Sequence, residues 1–296
     1  MIEFDVVVPA FNEGSNLEKV LTILVRCKQF WFNYMGKVIV AVEGEDGSVE
    51  IAERFSRLFP FISVVSSVSR RSKTLAVNDA MSQCGSPVVC IIDADTCFSP
   101  ASFFSLSAFD QEDVGAVGIR TVPVFDSRLV NMASQVKWML HDICNRVGAA
   151  RDSYVHTTNF IAVRRKLVPA FPTVINDDTW LGSYVSKLGF KVVYDPSCSV
   201  FMKPPMSVGD FISQSERWYL GHRQNRCFGV DPPNTVSLSS ILPLYFRFVA
   251  AALLLPFLEL TARVKARFLK VPNGCEKELV KVWSPIETTK TLTSII

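Results

Sequence analysis

Histidine and paired cysteine are what this chain has least of. Its 296 residues include only 3 histidines. His141, His156 and His222 stand at neither zinc-ligand nor triad spacing, which leaves them packing or surface roles. The 8 cysteines contain no C-x-x-C pair, and several sit inside apolar segments, as buried free thiols do. The pattern argues against a zinc module or a disulfide scaffold and suits a reducing compartment. Neither sign of charge is in excess, with a net of only +3. The aromatics are mostly Phe within apolar runs, not interleaved with Arg and Lys, so nothing demands a nucleic-acid partner. No G-x-S-x-G elbow suggests a hydrolase, and there are no repeats or low-complexity stretches. No basic start followed by a long apolar stretch opens the sequence, which places the N-terminal part in the cytoplasm.

What the chain does have is an alternation of short apolar runs and helix-like stretches. Phe4–Val8, Lys37–Val42, Phe61–Val65 and Pro87–Ile92 read as strands. Ser15–Arg26 (capped by Ser15 or Asn16), Val49–Leu58 and Thr74–Ser82 read as helices between them. This rhythm predicts an α/β fold with a mostly parallel sheet covered on both faces by helices. Such strands are buried on both sides, hence continuously apolar. Beyond residue 95 the rhythm changes. Strands are expected at Val114–Arg120, Thr157–Val163 and Lys191–Tyr194. Helices are expected at Arg128–Asn145, Leu181–Leu188 and Phe211–Cys227.

Ligands of parallel sheets bind beyond the carboxyl ends of the strands. Asp93-Ala94-Asp95 falls there, directly after the run Val88–Ile92. Two carboxylates one residue apart at such a point can hold a hard divalent cation against a phosphate. The Pro9–Glu13 and Glu43–Ser48 turns fall at the same edge. Three further groups follow: Lys73 and Asn78 in Ser72-Lys73-Thr74-Leu75-Ala76-Val77-Asn78, the acidic pair of Asn176-Asp177-Asp178-Thr179-Trp180-Leu181, and Gln214-Ser215-Glu216-Arg217-Trp218.

In order and spacing these pieces resemble the family-2 inverting glycosyltransferases of the GT-A (Rossmann-like) fold. The resemblance covers about residues 4 to 225, and Gly189-Phe190-Lys191-Val192-Val193-Tyr194-Asp195-Pro196 is also similar. The branch it looks most like holds the cellulose, chitin and hyaluronan synthases and the ceramide glucosyltransferases. The resemblance implies a metal-dependent transferase moving a sugar from a UDP-sugar to a lipid or glycan acceptor with a β linkage. Asp95, with Asp93, would bind Mg²⁺ or Mn²⁺, and Asp93 would also contact the nucleotide. Asp178 is the first choice as catalytic base and Asp177 the second. Pro9, Glu13, Glu43, Lys73, Gln214, Arg217 and Trp218 would line the nucleotide-sugar site. Arg217 can fork two bonds to a diphosphate, and Trp218 offers an apolar face to an acceptor or serves as a core anchor.

Two departures stand out. Where the family carries Asp-Asp-Gly-Ser, this chain has Val42-Glu43-Gly44-Glu45-Asp46-Gly47-Ser48, so Glu43 or Asp46 replaces the uracil-reading Asp. The segment His156-Thr157-Thr158-Asn159-Phe160 lacks the family's glycine, placing Thr158 or Asn159 on the acceptor side. Two alternatives stay open: a processive polysaccharide synthase subunit, and a catalytically silent nucleotide-sugar binder. A nucleotidylyltransferase fits less well, because the Pro9–Gly14 turn is neither Gly-rich nor basic.

The run Ile241–Leu258 is almost wholly apolar, contains Arg247, Pro243 and Pro256, and is followed by Arg263, Lys265, Arg267 and Lys270. As a helix at about 1.5 Å per residue it only just spans a bilayer core of about 30 Å. A kinked helix lying in the interface, or a shallow hairpin, below a cytoplasm-facing catalytic domain fits the basic cluster; a buried helix of the soluble core is the alternative at this borderline length. The expected organisation is a catalytic domain at 1–205, an amphipathic interface helix at 206–230, an apolar membrane-associated segment at 238–262 and a basic tail at 263–296.

Overall fold

Strand pairing around a short parallel sheet organises the molecule. It is described by a computed structural model at residues 1–67, 71–124, 128–150, 156, 159–230 and 249–268. Three βα units and a fourth strand open the chain: β1 (Phe4–Phe11), α1 (Gly14–Phe30), β2 (Met35–Glu43), α2 (Ser48–Leu58), β3 (Ile62–Ser67), α3 (Lys73–Met81) and β4 (Val88–Ile92). Next come β5 (Thr96–Cys97), a 3₁₀ helix (Pro100–Asp110), β6 (Val114–Pro123), α4 (Leu129–Ala150), β7 (Phe160–Arg164), α5 (Asp177–Lys187), β8 (Lys191–Met202) and α6 (Val208–Cys227). A last helix, α7, covers Val249–Phe268.

The eight strands form one sheet in the order β3-β2-β1-β4-β7-β6-β8-β5. β1 to β4 pair in parallel, as the alternation predicts. β7 then enters antiparallel between β4 and β6, while β8 returns parallel to β6. Alternate residues of each central strand face opposite layers. Val6, Val8, Val38, Val40, Cys90 and Ile92 pack with α1, α2 and the 3₁₀ helix. Val7, Ile39, Val89 and Ile91 pack with α3 and α5. Each fully buried Val or Ile here contributes about 1.5–3 kcal/mol, which explains why the strands read as unbroken apolar runs.

Several expectations need correction. α1 begins at Gly14 after Glu13, with no side-chain cap, so neither Ser15 nor Asn16 caps it. Instead Asn16 is fully buried and donates to the Glu13 carboxylate at 2.9 Å. α5 begins at Asp177, not Leu181, because the acid pair occupies its first turn, where carboxylates answer the helix dipole. β8 runs on to Met202 through Pro196. The register with β6 jumps between Asp195 and Ser199, and such an irregularity is where a strand tolerates proline. The strand expected from Thr157 begins at Phe160, and Thr157 and Thr158 lie outside the described residues.

Of the apolar run 241–258, residues 241–248 also lie outside the described residues, while the rest forms the first half of α7. α7 continues to Phe268, through the boundary expected between 262 and 263. Among the described residues no helix is long and apolar enough to cross a membrane. None of the seven described cysteines, Cys27 to Cys227, is in a disulfide.

Candidate active site

The site is built where β4 ends, α3 and α5 begin, and α6 passes. Asp93 leaves β4 in a tight turn: its carbonyl accepts from the Thr96 amide at 3.3 Å and hydroxyl at 2.7 Å. The turn holds both Asp93 and Asp95 at the strand's carboxyl end. Across from it α3 starts at Lys73, behind the Ser72 cap, whose hydroxyl accepts from the Leu75 amide. Lys73 Nζ lies 2.7 Å from Asp93 Oδ1 and 3.0 Å from Asp177 Oδ2, so one ammonium joins the two acidic pairs.

Charges there are strongly coupled. Burial, then the nearby Asp93, pushes the Asp95 carboxyl up to about 6, against the pull of Lys73 and Arg217. Burial, then Asp177, pushes Asp178 up to about 7, although its Oδ1 accepts from the Thr179 amide at 2.6 Å. Lys73 loses to burial but gains more from Asp177 and Asp93, and ends above its ordinary value. Burial lowers Arg217, while Asp93, Asp177, Asp178 and Asp95 all favour its charge. The six groups expected to carry the chemistry therefore share one electrostatic environment.

The helix that brings Arg217 also holds the acid pair in place. Gln224, fully buried on α6, accepts from the Ile175 amide at 2.7 Å and donates to the Thr173 carbonyl at 3.0 Å. Asn225 donates to the Asn176 carbonyl, and Asn176 donates to the Trp218 carbonyl at 3.0 Å. Gly221 lets α6 come this close, since a Cβ there would lie 2.3 Å from Asn176 Cγ. On the other side Asn78 of α3 bonds both the amide and the carbonyl of Phe171. Gln224, Asn225 and Gly221 were missed in the sequence. Their signal is helical spacing from Arg217 and Trp218, which sets them on one face of α6.

The remaining expected residues divide into two groups. Pro9, Glu13 and Glu43 gather at the ends of β1 and β2. The backbone there turns through Asn12 and Gly44 at φ +52° and +118°, with Asn12 Oδ1 accepting from the Glu45 amide. Glu43 is buried and accepts from the Arg71 amide and Nε, both at 3.1 Å. Asp46 accepts from the Gly14 and Ser48 amides, which makes it a turn-former. On α6, Gln214 is half-buried one turn before Trp218.

The Trp218 ring meets Trp138, His141 and His222, with Lys137 Nζ 4.4 Å above its centre. His156 joins this cluster through His141 and His222, so all three histidines converge beside the site. Burial first, then neighbouring positive groups, lowers His141 to about 3 and His156 to about 4, which keeps both neutral near pH 7.

Two acidic pairs, a bridging lysine and the half-buried Arg217 thus meet at the carboxyl edge of the sheet's parallel half, where open α/β sheets bind their ligands. Residues 3–221 match the family described as glycosyltransferase like family 2. The chain belongs to that family and is a glycosyltransferase. No curated protein matches it. Among solved structures, a mannosyltransferase from Pyrobaculum calidifontis in complex with GDP-Man and Mn²⁺ is similar at 19% identity and TM-score 0.62, over 92% of this chain and 77% of that one. A glucosyl-3-phosphoglycerate synthase from Mycobacterium tuberculosis, solved with Mn²⁺ and UDP, is similar at 16% identity and TM-score 0.54, over 79% and 82%. A mannosyl-3-phosphoglycerate synthase from Rubrobacter xylanophilus gives 16% and 0.53, over 79% and 77%. At these identities the likeness speaks for the fold.

Proposed function

We propose that this glycosyltransferase moves a sugar from a UDP-sugar, with inversion, to a hydroxyl of a lipid or membrane-proximal acceptor, leaving a β linkage. The observation that carries this reading is the convergence of Arg217 and Lys73 on Asp93, Asp95, Asp177 and Asp178. Solved relatives of this fold hold Mn²⁺ with GDP-Man or UDP, which supports a nucleotide-sugar donor here.

The residues fit a divalent cation. Asp95 offers hard oxygen donors in a place where burial and Asp93 leave its negative charge poorly compensated. No set of three or more His, Cys, Asp or Glu among the described residues is placed to hold a metal alone. Mg²⁺ and Mn²⁺ at such sites take one or two carboxylates and complete their shell with phosphate and water. Asp95, with Asp93 beside it, would hold the ion, which when bound neutralises the departing diphosphate.

The protein's own groups do the rest. Arg217 forks onto the diphosphate as its charge grows. Asp178 takes the proton of the acceptor hydroxyl. The hydroxyl oxygen bonds to the anomeric carbon while the bond to the diphosphate oxygen breaks on the opposite face. A carboxyl titrating near 7 is well matched to that step. Lys73 pairs with Asp177 and Asp93, and Trp218 walls the acceptor side. Cysteines set inside apolar segments, with no C-x-x-C pair in the sequence, suit a cytoplasm-facing site.

The experiment is incubation of the purified chain with UDP- and GDP-sugars, Mn²⁺ or Mg²⁺, and membrane lipids, following nucleotide release and the anomeric configuration of the product. Release from a UDP-sugar with a β product supports the reading. An α product from an α-linked donor removes inversion, and preference for GDP-sugars removes the donor assignment.

A further inference from the structure

We infer that α7 docks the enzyme on an anionic lipid surface through its outward face. α7 is two-sided in an unusual way. Its inner face is anchored: Leu255, Leu258, Ala262 and Ala266 are buried against α4 and α6. Glu259 accepts from Ser215 and Tyr219 and pairs with Lys137 at 2.7 Å. The Arg223 guanidinium donates to the Ala266 carbonyl.

The opposite face is also apolar. Leu253, Phe257, Leu260, Val264 and Phe268 are 73%, 67%, 60%, 48% and 80% exposed. Their steps of four, three, four and four residues place them on one stripe of the helix. A surface helix of a soluble body normally turns charge outward, so five large side chains in register mark a contact face.

The charge on the helix selects the occupant. Glu259 is the only acid on α7, and it is turned inward. Arg263, Lys265 and Arg267 are exposed. An apolar stripe flanked only by cations matches an interface of acyl chains and anionic headgroups. A second copy would bring the same cations with no carboxylate on this helix to answer them. Leu129 and Val208, which open α4 and α6, are exposed as well. They lie at the Leu253 end, because Phe211 packs with Leu255 and Arg223 reaches Ala266. The sequence that precedes α7, residues 241–248, is apolar apart from Arg247.

The inference deepens the membrane-proximal part of the proposed function, and its test needs no sugar. Full-length protein is sedimented with vesicles of phosphatidylcholine alone and of equal parts phosphatidylcholine and phosphatidylglycerol. The unaltered chain should bind the anionic vesicles. A triple variant, Phe257→Ser, Leu260→Ser and Val264→Ser, should lose partitioning on the order of a hundredfold. A double variant, Lys265→Glu and Arg267→Glu, should lose the preference for anionic vesicles, on the order of fivefold per charge. Both variants alter exposed positions, and unchanged circular dichroism confirms that they fold. Absence of vesicle binding, or equal binding by the triple variant, overturns the inference. So does a dimer that the triple variant breaks while neither protein binds vesicles. Nucleotide release is read separately, so a failure of docking and a failure of the transferase reading are told apart.

Discussion

Lys73 and Asp177 are joined across the candidate active site at 3.0 Å, and the same ammonium lies 2.7 Å from Asp93. One cation therefore holds together carboxylates from the end of β4 and the start of α5. Without it, buried Asp177 and half-buried Asp93 lose their shared lysine partner. Lys73→Met is expected to lower stability by about 3 kcal/mol and turnover on the order of a hundredfold. Lys73→Arg should recover stability better than turnover, since a planar guanidinium keeps the charge but not the geometry. Urea titration beside a nucleotide-release assay measures both.

Asp178 gives a pH signature. Its folded value of about 7 lies above the ordinary one, with burial as the first cause and Asp177 the second. A base works only when deprotonated, so kcat/KM should rise with pH through about 7 and then level off. His141 and His156 titrate far lower, at about 3 and about 4, and do not supply that limb. The stability effect runs the other way. The folded carboxyl holds its proton more tightly than the unfolded one, so its contribution is complete below about 4 and is lost as pH rises to about 7. Asp178→Asn should abolish transfer and remove its share of that slope. A pH–rate profile unchanged in shape by Asp178→Asn would assign the limb elsewhere.

Gly221 is predicted to matter without touching any reactant. A methyl group there meets Asn176 at 2.3 Å, and Asn176 precedes the acid pair directly. Gly221→Ala should cost about 1–3 kcal/mol of stability by overpacking. It should also lower kcat more than it raises the donor KM, because the clash falls on the Asn176 side chain, next to the proposed base, one turn away from Arg217.

Glu259 tests how far α7 belongs to the catalytic body. It neutralises Lys137, which lies over Trp218 and beside Ser215. Both charges are largely buried, and burial already lowers Lys137 below its ordinary value. Glu259→Gln should cost about 2–3 kcal/mol. The double change Glu259→Gln with Lys137→Met, which removes both charges, should recover part of the loss. Chemical denaturation of the three proteins checks this.

The first half of the fold and the gathering of acidic residues at its carboxyl edge were legible in the sequence for physical reasons. Strands buried on both faces must be apolar throughout, as Val6–Val8 and Val88–Ile92 are. Acids placed after such a strand stand at the edge where ligands bind, although Asp46 shows that they also serve simply to form turns. Pairing direction leaves no comparable trace. Nothing in Phe160–Arg164 says that it enters antiparallel between β4 and β6. Pro196 reads as a strand end, yet the register jump beside it accommodates the ring. The α6 clamp was hidden because Gln224 and Asn225 look like solvated helix residues until Asn176 and Thr173 arrive from elsewhere in the chain. The three histidines are scattered in sequence, and only folding gathers them around Trp218.

The shared donor site is tested most directly by calorimetric titration of the full chain with UDP, in Mn²⁺ and again in chelator. Binding should require the metal, weaken on the order of a hundredfold in Asp95→Asn and in Arg217→Ala, and persist in Asp178→Asn. Equal affinity with and without metal, or an Asp178→Asn protein that loses UDP as completely as Asp95→Asn, would show that these residues do not divide donor binding and proton transfer as described.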